Sequence, residues 1–75
     1  MVEMSEDRLA MAEHYVRENT RRIARQAALV ERLQSDGHAV PAMRAQKLLV
    51  TFRGALEIAR EHLHREREKH GLPPS

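Results

Sequence analysis

The sequence predicts an all-α fold: an antiparallel two-helix hairpin, formed by residues 6–34 and 41–69, that dimerises into a four-helix bundle. Two runs of helical periodicity, nearly equal in length, occupy most of the 75 residues. Between them, Gly37 can adopt the left-handed conformation that ends a helix, and Pro41 has the fixed φ that suits the first position of the next helix. A helix stop followed within a few residues by a helix start is typical of a helical hairpin.

The first predicted helix begins after Ser5, whose hydroxyl can accept a hydrogen bond from a backbone N–H at the helix start. Glu6 and Asp7 follow at the positive end of the helix dipole. Apolar residues recur every seven positions, with smaller neighbours beside them: Leu9, Val16, Ile23 and Val30, with Ala12, Ala27 and Leu33. A second row flanks this stripe on one side: Met11, Tyr15, Leu29 and Leu33. The apolar face is therefore wider than one partner helix would cover.

The second predicted helix begins at Pro41 and ends before Gly71. Its apolar residues alternate spacings of four and three, the rhythm of a helix seam: Ala45, Leu49, Phe52, Leu56, Ala59 and Leu63. Leu48 and Ala55 widen this seam. Three further apolar residues lie away from it and are either scattered surface residues or part of a contact between subunits: Met43, Val50 and Ile58.

Composition points to a single soluble domain over residues 1–75, with residues 1–5 and 70–75 expected to fray. Cysteine is absent, which excludes disulfides and zinc–thiolate sites and is in keeping with a cytoplasmic location. We recognise no secretory signal and no apolar run long enough to span a membrane. The net charge of +2 is uneven: −3 in residues 1–13, +5 in residues 14–53 and zero beyond. In a hairpin, the half nearest the turn is therefore basic.

Self-association follows from the width of the apolar face, because two helices alone bury too little apolar surface to form a core. A two-fold dimer is the simplest closed solution. The predicted core and oligomer interface consists of Leu9, Tyr15, Val16, Ile23, Leu29, Val30, Leu33, Leu49, Phe52, Leu56 and Leu63. Asn19 and Gln26 interrupt the stripe and either set the register, by pairing with each other or with backbone, or point outward into water.

Histidines suggest one alternative chemistry. His62, Glu66 and His70 share a helix face, and His14 lies near His62 across the hairpin, so a small transition-metal site from His14, His62 and Glu66 is conceivable. The simpler interpretation, which we prefer, is a solvated, charge-rich helix end. We therefore predict no metal and no cofactor.

Arginines suggest a second alternative chemistry, the binding of phosphate or of an acidic partner. Arg17, Arg21, Arg25 and Arg32 line the outward face of the first helix and can contact phosphates or an acidic partner. The alternative is ordinary solvated arginine with glutamate partners. Nucleic-acid binding is a possible function but not the favoured one, since the overall charge is small and aromatic stacking groups are scarce.

Residues 22–38, which read R-I-A-R-Q-A-A-L-V-E-R-L-Q-S-D-G-H, carry a resemblance to a group of short α-proteobacterial proteins with no assigned activity. These share an R-I-x-R-Q-x-x-L-[IV]-x-x-L-x-x-D-G-H core and a second helix rich in leucine. The resemblance covers about residues 18–66 and implies a bacterial cytoplasmic protein with a helical hairpin. The group often has a Thr or Ser cap after the turn, whereas this chain has Val40 and Pro41.

No catalytic constellation is visible: there is no glycine-rich phosphate loop, no nucleophile–base set and no carboxylate pair in an apolar setting. We therefore predict a non-enzymatic, self-associating hairpin that serves as an interaction or adaptor module for an unidentified protein partner, away from membranes. The alternative is a small nucleic-acid-associated regulator that uses the basic half near the turn.

Overall fold

Two helices account for nearly all of the described chain: α1, Glu3–Ser35, and α2, Ala39–Lys69. The computed structural model describes the backbone of residues 3–73 and the side chains of residues 8–73. Over that range there is no strand, and the two helices pack against each other, so the all-α prediction and the helix pairing are confirmed. Neither helix, within the described range, combines the length and the apolar character needed to cross a bilayer.

The turn has the hydrogen bonds of a Schellman motif. Gly37 has a φ of 78°, in the left-handed region. The N–H of His38 donates to the carbonyl of Leu33 at 2.9 Å, and the N–H of Gly37 donates to the carbonyl of Gln34 at 3.1 Å. These two bonds satisfy carbonyls that would otherwise lack a partner at the end of α1. The same pattern ends α2, with Gly71 at a φ of 71°.

The first helix begins earlier than predicted. α1 starts at Glu3, so Ser5 lies in its first turn and is not the residue that precedes the helix. The physical reason is that no glycine or proline interrupts residues 3–7, so nothing in the local sequence stops the helix from extending toward the N-terminus. The side chains of Ser5, Glu6 and Asp7 lie outside the described ones. Residues 1, 2, 74 and 75, part of the ends expected to fray, also lie outside the described range.

The second helix also begins earlier, at Ala39, so Pro41 occupies the third helical position rather than the first. Proline is tolerated there because the N–H groups of the first turn have no partner within the helix. The N–H of Ala42 makes the first helical bond, to the carbonyl of His38 at 2.9 Å. His38 provides no side-chain cap.

Contacts between the helices show that they are antiparallel. Near the turn, the amide of Gln26 reaches the backbone of Ala45. Near the termini, a guanidinium nitrogen of Arg67 lies 3.7 Å from the Glu13 carboxylate. Earlier residues of α1 thus meet later residues of α2, as a hairpin requires.

The core is a single thin seam between the helices, in a molecule measuring 53 × 18 × 15 Å. Its centre is a cluster of Val30, Ala45 and Leu49, against which Ile23, Ala27 and Leu33 pack. Among the side chains of residues 8–73, the other buried apolar ones are Ala12, Ala42 and Leu63. Half of these six buried residues are alanines, so the seam brings the helix backbones close together but buries little side-chain volume.

Candidate interaction surface

One contact between the helices identifies a continuous side of the hairpin. The guanidinium carbon of Arg22 lies 5.3 Å from the centre of the Phe52 ring, a cation–π geometry. Residues at helical spacings of three, four or seven from these two share the same side of their helix. We call this side the flank face; it is formed by Met11, Tyr15, Arg22, Leu29 and Leu33 of α1 and by Leu48, Phe52, Ala55 and Ala59 of α2.

Large apolar side chains on the flank face remain half exposed in the single hairpin. The exposed fractions are 53% for Met11, 48% for Tyr15, 41% for Leu29 and 46% for Leu48. Because a hairpin has only one layer, no other element covers these side chains. The flank face is therefore an apolar surface without an occupant within the described part of the chain.

The opposite side of the hairpin has a different character. It is identified by the Glu13–Arg67 ion pair. At helical spacing from this pair lie five exposed charged or polar residues: Arg17, Thr20 and Glu31 on α1 and Arg53 and Arg60 on α2. Of these two sides, the flank face is therefore the one that carries exposed large apolar side chains.

The predicted core and interface residues divide into three groups by exposure. Val30, Leu49 and Leu63 are buried. Tyr15 and Leu29 are exposed, on the flank face. The rest are half-buried along the seam: Leu9, Val16, Ile23, Leu33, Phe52 and Leu56.

The two candidate register residues make different hydrogen bonds. Gln26 is half-buried, and its Nε2 donates to the backbone carbonyl of Ala45 on the other helix at 2.8 Å. The methyl side chain of Ala45 leaves room for that approach. Asn19 instead donates from Nδ2 to the carbonyl of Tyr15, one turn back in its own helix, at 2.8 Å.

The four arginines proposed for partner or phosphate contact are all exposed on α1: Arg17, Arg21, Arg25 and Arg32. Arg21 pairs with the Glu18 carboxylate at 2.9 Å. An exposed ion pair of this kind contributes little to stability, typically about 0.2–1 kcal/mol. The Glu18 carboxylate can therefore exchange this partner at small cost.

The residues considered for a metal site do not come together. Among the described residues, no three His, Asp or Glu side chains form a group that could hold a metal ion. Glu66 is buried and pairs with the ammonium of Lys69 at 3.3 Å, whereas His14 is exposed and lies beside Tyr15, with ring centres 6.1 Å apart. His62 is half-buried on α2.

A second exposed apolar surface lies on the side of α2 that faces away from α1. We call it the outer face; its apolar members are Val40, Met43, Val50 and Ile58. Beside Met43, an open concavity of about 450 Å³ is lined by Gln34, Ala39, Ala42, Met43, Gln46 and Lys47. This concavity is large enough for an apolar side chain of another molecule.

Two charged residues that shape these surfaces could not be identified from the spacing of apolar residues. Arg22 interrupts the flank row with a charge, yet its guanidinium covers Phe52. Arg67 joins three parts of the chain, since its Nε also donates to the carbonyl of Pro73 at 2.6 Å. The helical spacing of Arg22 from Tyr15 and Leu29 was the one available signal for its position.

Comparisons with protein-family models, with curated proteins and with solved structures give no match for this chain. The resemblance carried by residues 22–38 therefore stays a prediction.

Proposed function

We propose that this chain is a non-enzymatic helical hairpin that self-associates and acts as a protein–protein interaction module. The observation that carries the proposal is the flank face, where Met11, Tyr15, Leu29 and Leu48 are all between 41% and 53% exposed. Large exposed apolar side chains grouped on one side of a protein are typical of interaction sites.

The surface area supports a partner of substantial size. The chain exposes 5672 Å², whereas a compact monomer of 8.7 kDa exposes about 4700 Å². The excess reflects the elongated shape of a single hairpin, 53 × 18 × 15 Å, which leaves apolar side chains for a partner to cover. The radius of gyration agrees: it is 16.3 Å, against about 11 Å for a compact domain of this length.

A second copy is the simplest partner. Two hairpins joined by their flank faces through a two-fold axis form a four-helix bundle, in which each apolar row packs against its counterpart. Such a dimer leaves the outer face of α2 exposed. That face, with Met43, Val50 and the adjacent concavity, is then available to another protein, which is the adaptor role.

The experiment is a measurement of mass in solution by sedimentation velocity over a range of micromolar concentrations. We expect a species of twice the 8.7 kDa chain mass that dissociates on dilution. Leu29→Lys should shift the equilibrium toward monomer while leaving helix content by circular dichroism unchanged. Ile58→Lys is the matched control, because Ile58 is more exposed at 69% but lies on the outer face. A folded wild-type monomer at every concentration would contradict self-association.

A second candidate function, nucleic-acid association, is favoured by the arrangement of four exposed arginines. Arg17, Arg21, Arg25 and Arg32 follow spacings of four, four and seven, so they form one stripe along α1. The test is retention on duplex DNA at ~50 mM salt, where phosphate contacts are strong. Retention should fall when Arg17→Gln is combined with Arg32→Gln and should not fall when Arg60→Gln is combined with Arg65→Gln, which removes the same charge from the other end of the hairpin. Wild-type protein that is not retained rules this function out.

A further inference from the structure

We infer that the two copies pack with their turns at opposite ends, through a self-complementary seam along α1; the inference rests on the proposed self-association. The seam follows spacings of four, three, four, three and four, the rhythm with which one helix packs along another. It consists of Met11, Tyr15, Glu18, Arg22, Arg25 and Leu29.

When a second copy of α1 lies antiparallel beside the first, each seam residue faces a residue of a type that attracts it. Met11 and Leu29 are equally far from Thr20, so an antiparallel copy of α1 centred there sets one opposite the other. The same operation sets Tyr15 opposite Arg25.

The third pair is Glu18 opposite Arg22, the closest to the centre of the seam. Each antiparallel pair thus combines groups that attract: two apolar side chains, an aromatic ring with a guanidinium, and a carboxylate with a guanidinium. Because the dimer is symmetric, each pair occurs twice.

The parallel arrangement lacks this complementarity. If both turns lay at the same end, each seam residue would face its own copy. Arg22 would face Arg22, Arg25 would face Arg25 and Glu18 would face Glu18, and like charges directly opposite each other destabilise a helix pair. The charges along the seam therefore favour opposite orientations.

Contacts within the hairpin leave these groups available. The Arg22 guanidinium carbon lies 5.3 Å from the centre of the Phe52 ring, and its N–H donors make no hydrogen bond or ion pair with the described residues, so they can reach a carboxylate of another copy. Glu18 accepts from Arg21 through Oε2, and its side chain is 40% exposed, so the carboxylate can accept a further donor. Arg25 is exposed.

The second helix permits the same arrangement. Arg22 lies level with Phe52, so the centre of the seam on α1 lies level with the neighbourhood of Ala55 on α2. Near that point the flank face of α2 carries two alanines, Ala55 and Ala59, next to the half-buried Phe52. Two copies of α2 can therefore approach closely where the two-fold axis passes between them.

Disulfide trapping tests the orientation, and the absence of cysteine from the chain removes any background. Met11→Cys and Leu29→Cys are prepared separately, and each is oxidised with a glutathione redox buffer alone and as an equimolar mixture. A disulfide needs Cα atoms within ~7 Å, whereas in an antiparallel dimer two copies of position 11 lie about 27 Å apart along the helix axis. We expect covalent dimer in the mixture and almost none in either variant alone. Ile58→Cys, on the outer face, measures random collisions.

Each outcome is decisive when it is read beside the sedimentation result. Covalent dimer from Met11→Cys alone would show a parallel dimer and overturn the inference while leaving self-association intact. A dimer by sedimentation without any trapping above the Ile58→Cys level would also overturn the inference, because the interface would lie elsewhere. A monomer by sedimentation would remove the proposed self-association itself.

Discussion

The side-chain amide of Gln26 donates a hydrogen bond to the backbone carbonyl of Ala45 at 2.8 Å and so ties α1 to α2 near the turn. Sliding one helix along the other by a single residue would break this bond, because the carbonyl is a fixed point on the α2 backbone. The bond is half-buried, which protects it from competition with water. It therefore helps to specify the register of the hairpin.

Gln26→Ala should destabilise the hairpin by about 1 kcal/mol, the usual net contribution of one hydrogen bond. A larger effect is not expected, since the carbonyl of Ala45 still lies within α2 and accepts the hydrogen bond of the helix backbone. Urea unfolding followed by circular dichroism measures the change. Gln46→Ala is the matched control, because Gln46 is an exposed glutamine in the interior of α2. Equal effects of the two substitutions would show that the interhelical bond contributes nothing.

The glycines provide a second prediction, in which one substitution type has opposite effects at two positions. Gly37 has a φ of 78°, so Gly37→Ala should destabilise the fold by about 1–2 kcal/mol. Gly54 lies in the interior of α2, so Gly54→Ala should stabilise it by up to about 1 kcal/mol. Apart from its chain neighbours and, at Gly54, the nearby backbone of its own helix, a Cβ atom at either position meets nothing within 4 Å, so the two effects come from the backbone alone. Thermal unfolding at fixed protein concentration measures both, and a gain in stability from Gly37→Ala would contradict the assigned turn.

The local features of the fold could be predicted because the signals lie within a few residues of the structure they determine. Gly37 and the heptad of apolar residues are examples, since the turn and the buried stripe follow from backbone preference and spacing. Pro41 was predicted at the first position of α2 but lies at the third. The sequence could not distinguish these positions, because the first turn of a helix accepts proline at more than one of them.

Contacts between the helices were harder to predict. The Arg22–Phe52 and Glu13–Arg67 contacts depend on the register of two helices and on side-chain rotamers, neither of which spacing within one helix determines. The exposed row of Met11, Tyr15 and Leu29 could be recognised from sequence. The charged residue in this row, Arg22, could not be assigned to it, because a search for apolar spacing counts a charged residue as an interruption.

Core packing provides a third prediction. Leu49 is buried in the cluster with Val30 and Ala45. Leu49→Ala should cost about 2–4 kcal/mol, through lost apolar burial and the cavity left behind. Leu72→Ala is the control, since Leu72 is exposed beyond the end of α2. Chemical denaturation at high protein concentration separates this loss of folding from dissociation, and a negligible effect would mean that the central cluster does not hold the helices together.

Reversal of charge at Glu18 and Arg22 provides the last prediction, on the proposed antiparallel dimer. Glu18→Arg alone sets arginine opposite arginine twice, and Arg22→Glu alone sets glutamate opposite glutamate twice. Each should raise the dimer dissociation constant about tenfold, given the ~0.2–1 kcal/mol of an exposed pair and its change from attraction to repulsion. The double variant restores both attractive pairs with their signs exchanged, so its dissociation constant should return toward the wild-type value.

Neutralisation separates the two orientations by the direction of the effect. Glu18→Gln removes an attraction in an antiparallel dimer and should weaken association, whereas in a parallel dimer it would remove a repulsion and strengthen it. Sedimentation at low ionic strength gives the largest difference, since salt screens exposed charges. Glu31→Gln, on the opposite side of the hairpin, makes the same change in net charge and serves as the control. The Arg22–Phe52 contact is lost in Arg22→Glu, so unfolding of each variant is measured alongside, and only changes in dissociation that exceed the change in stability bear on the interface.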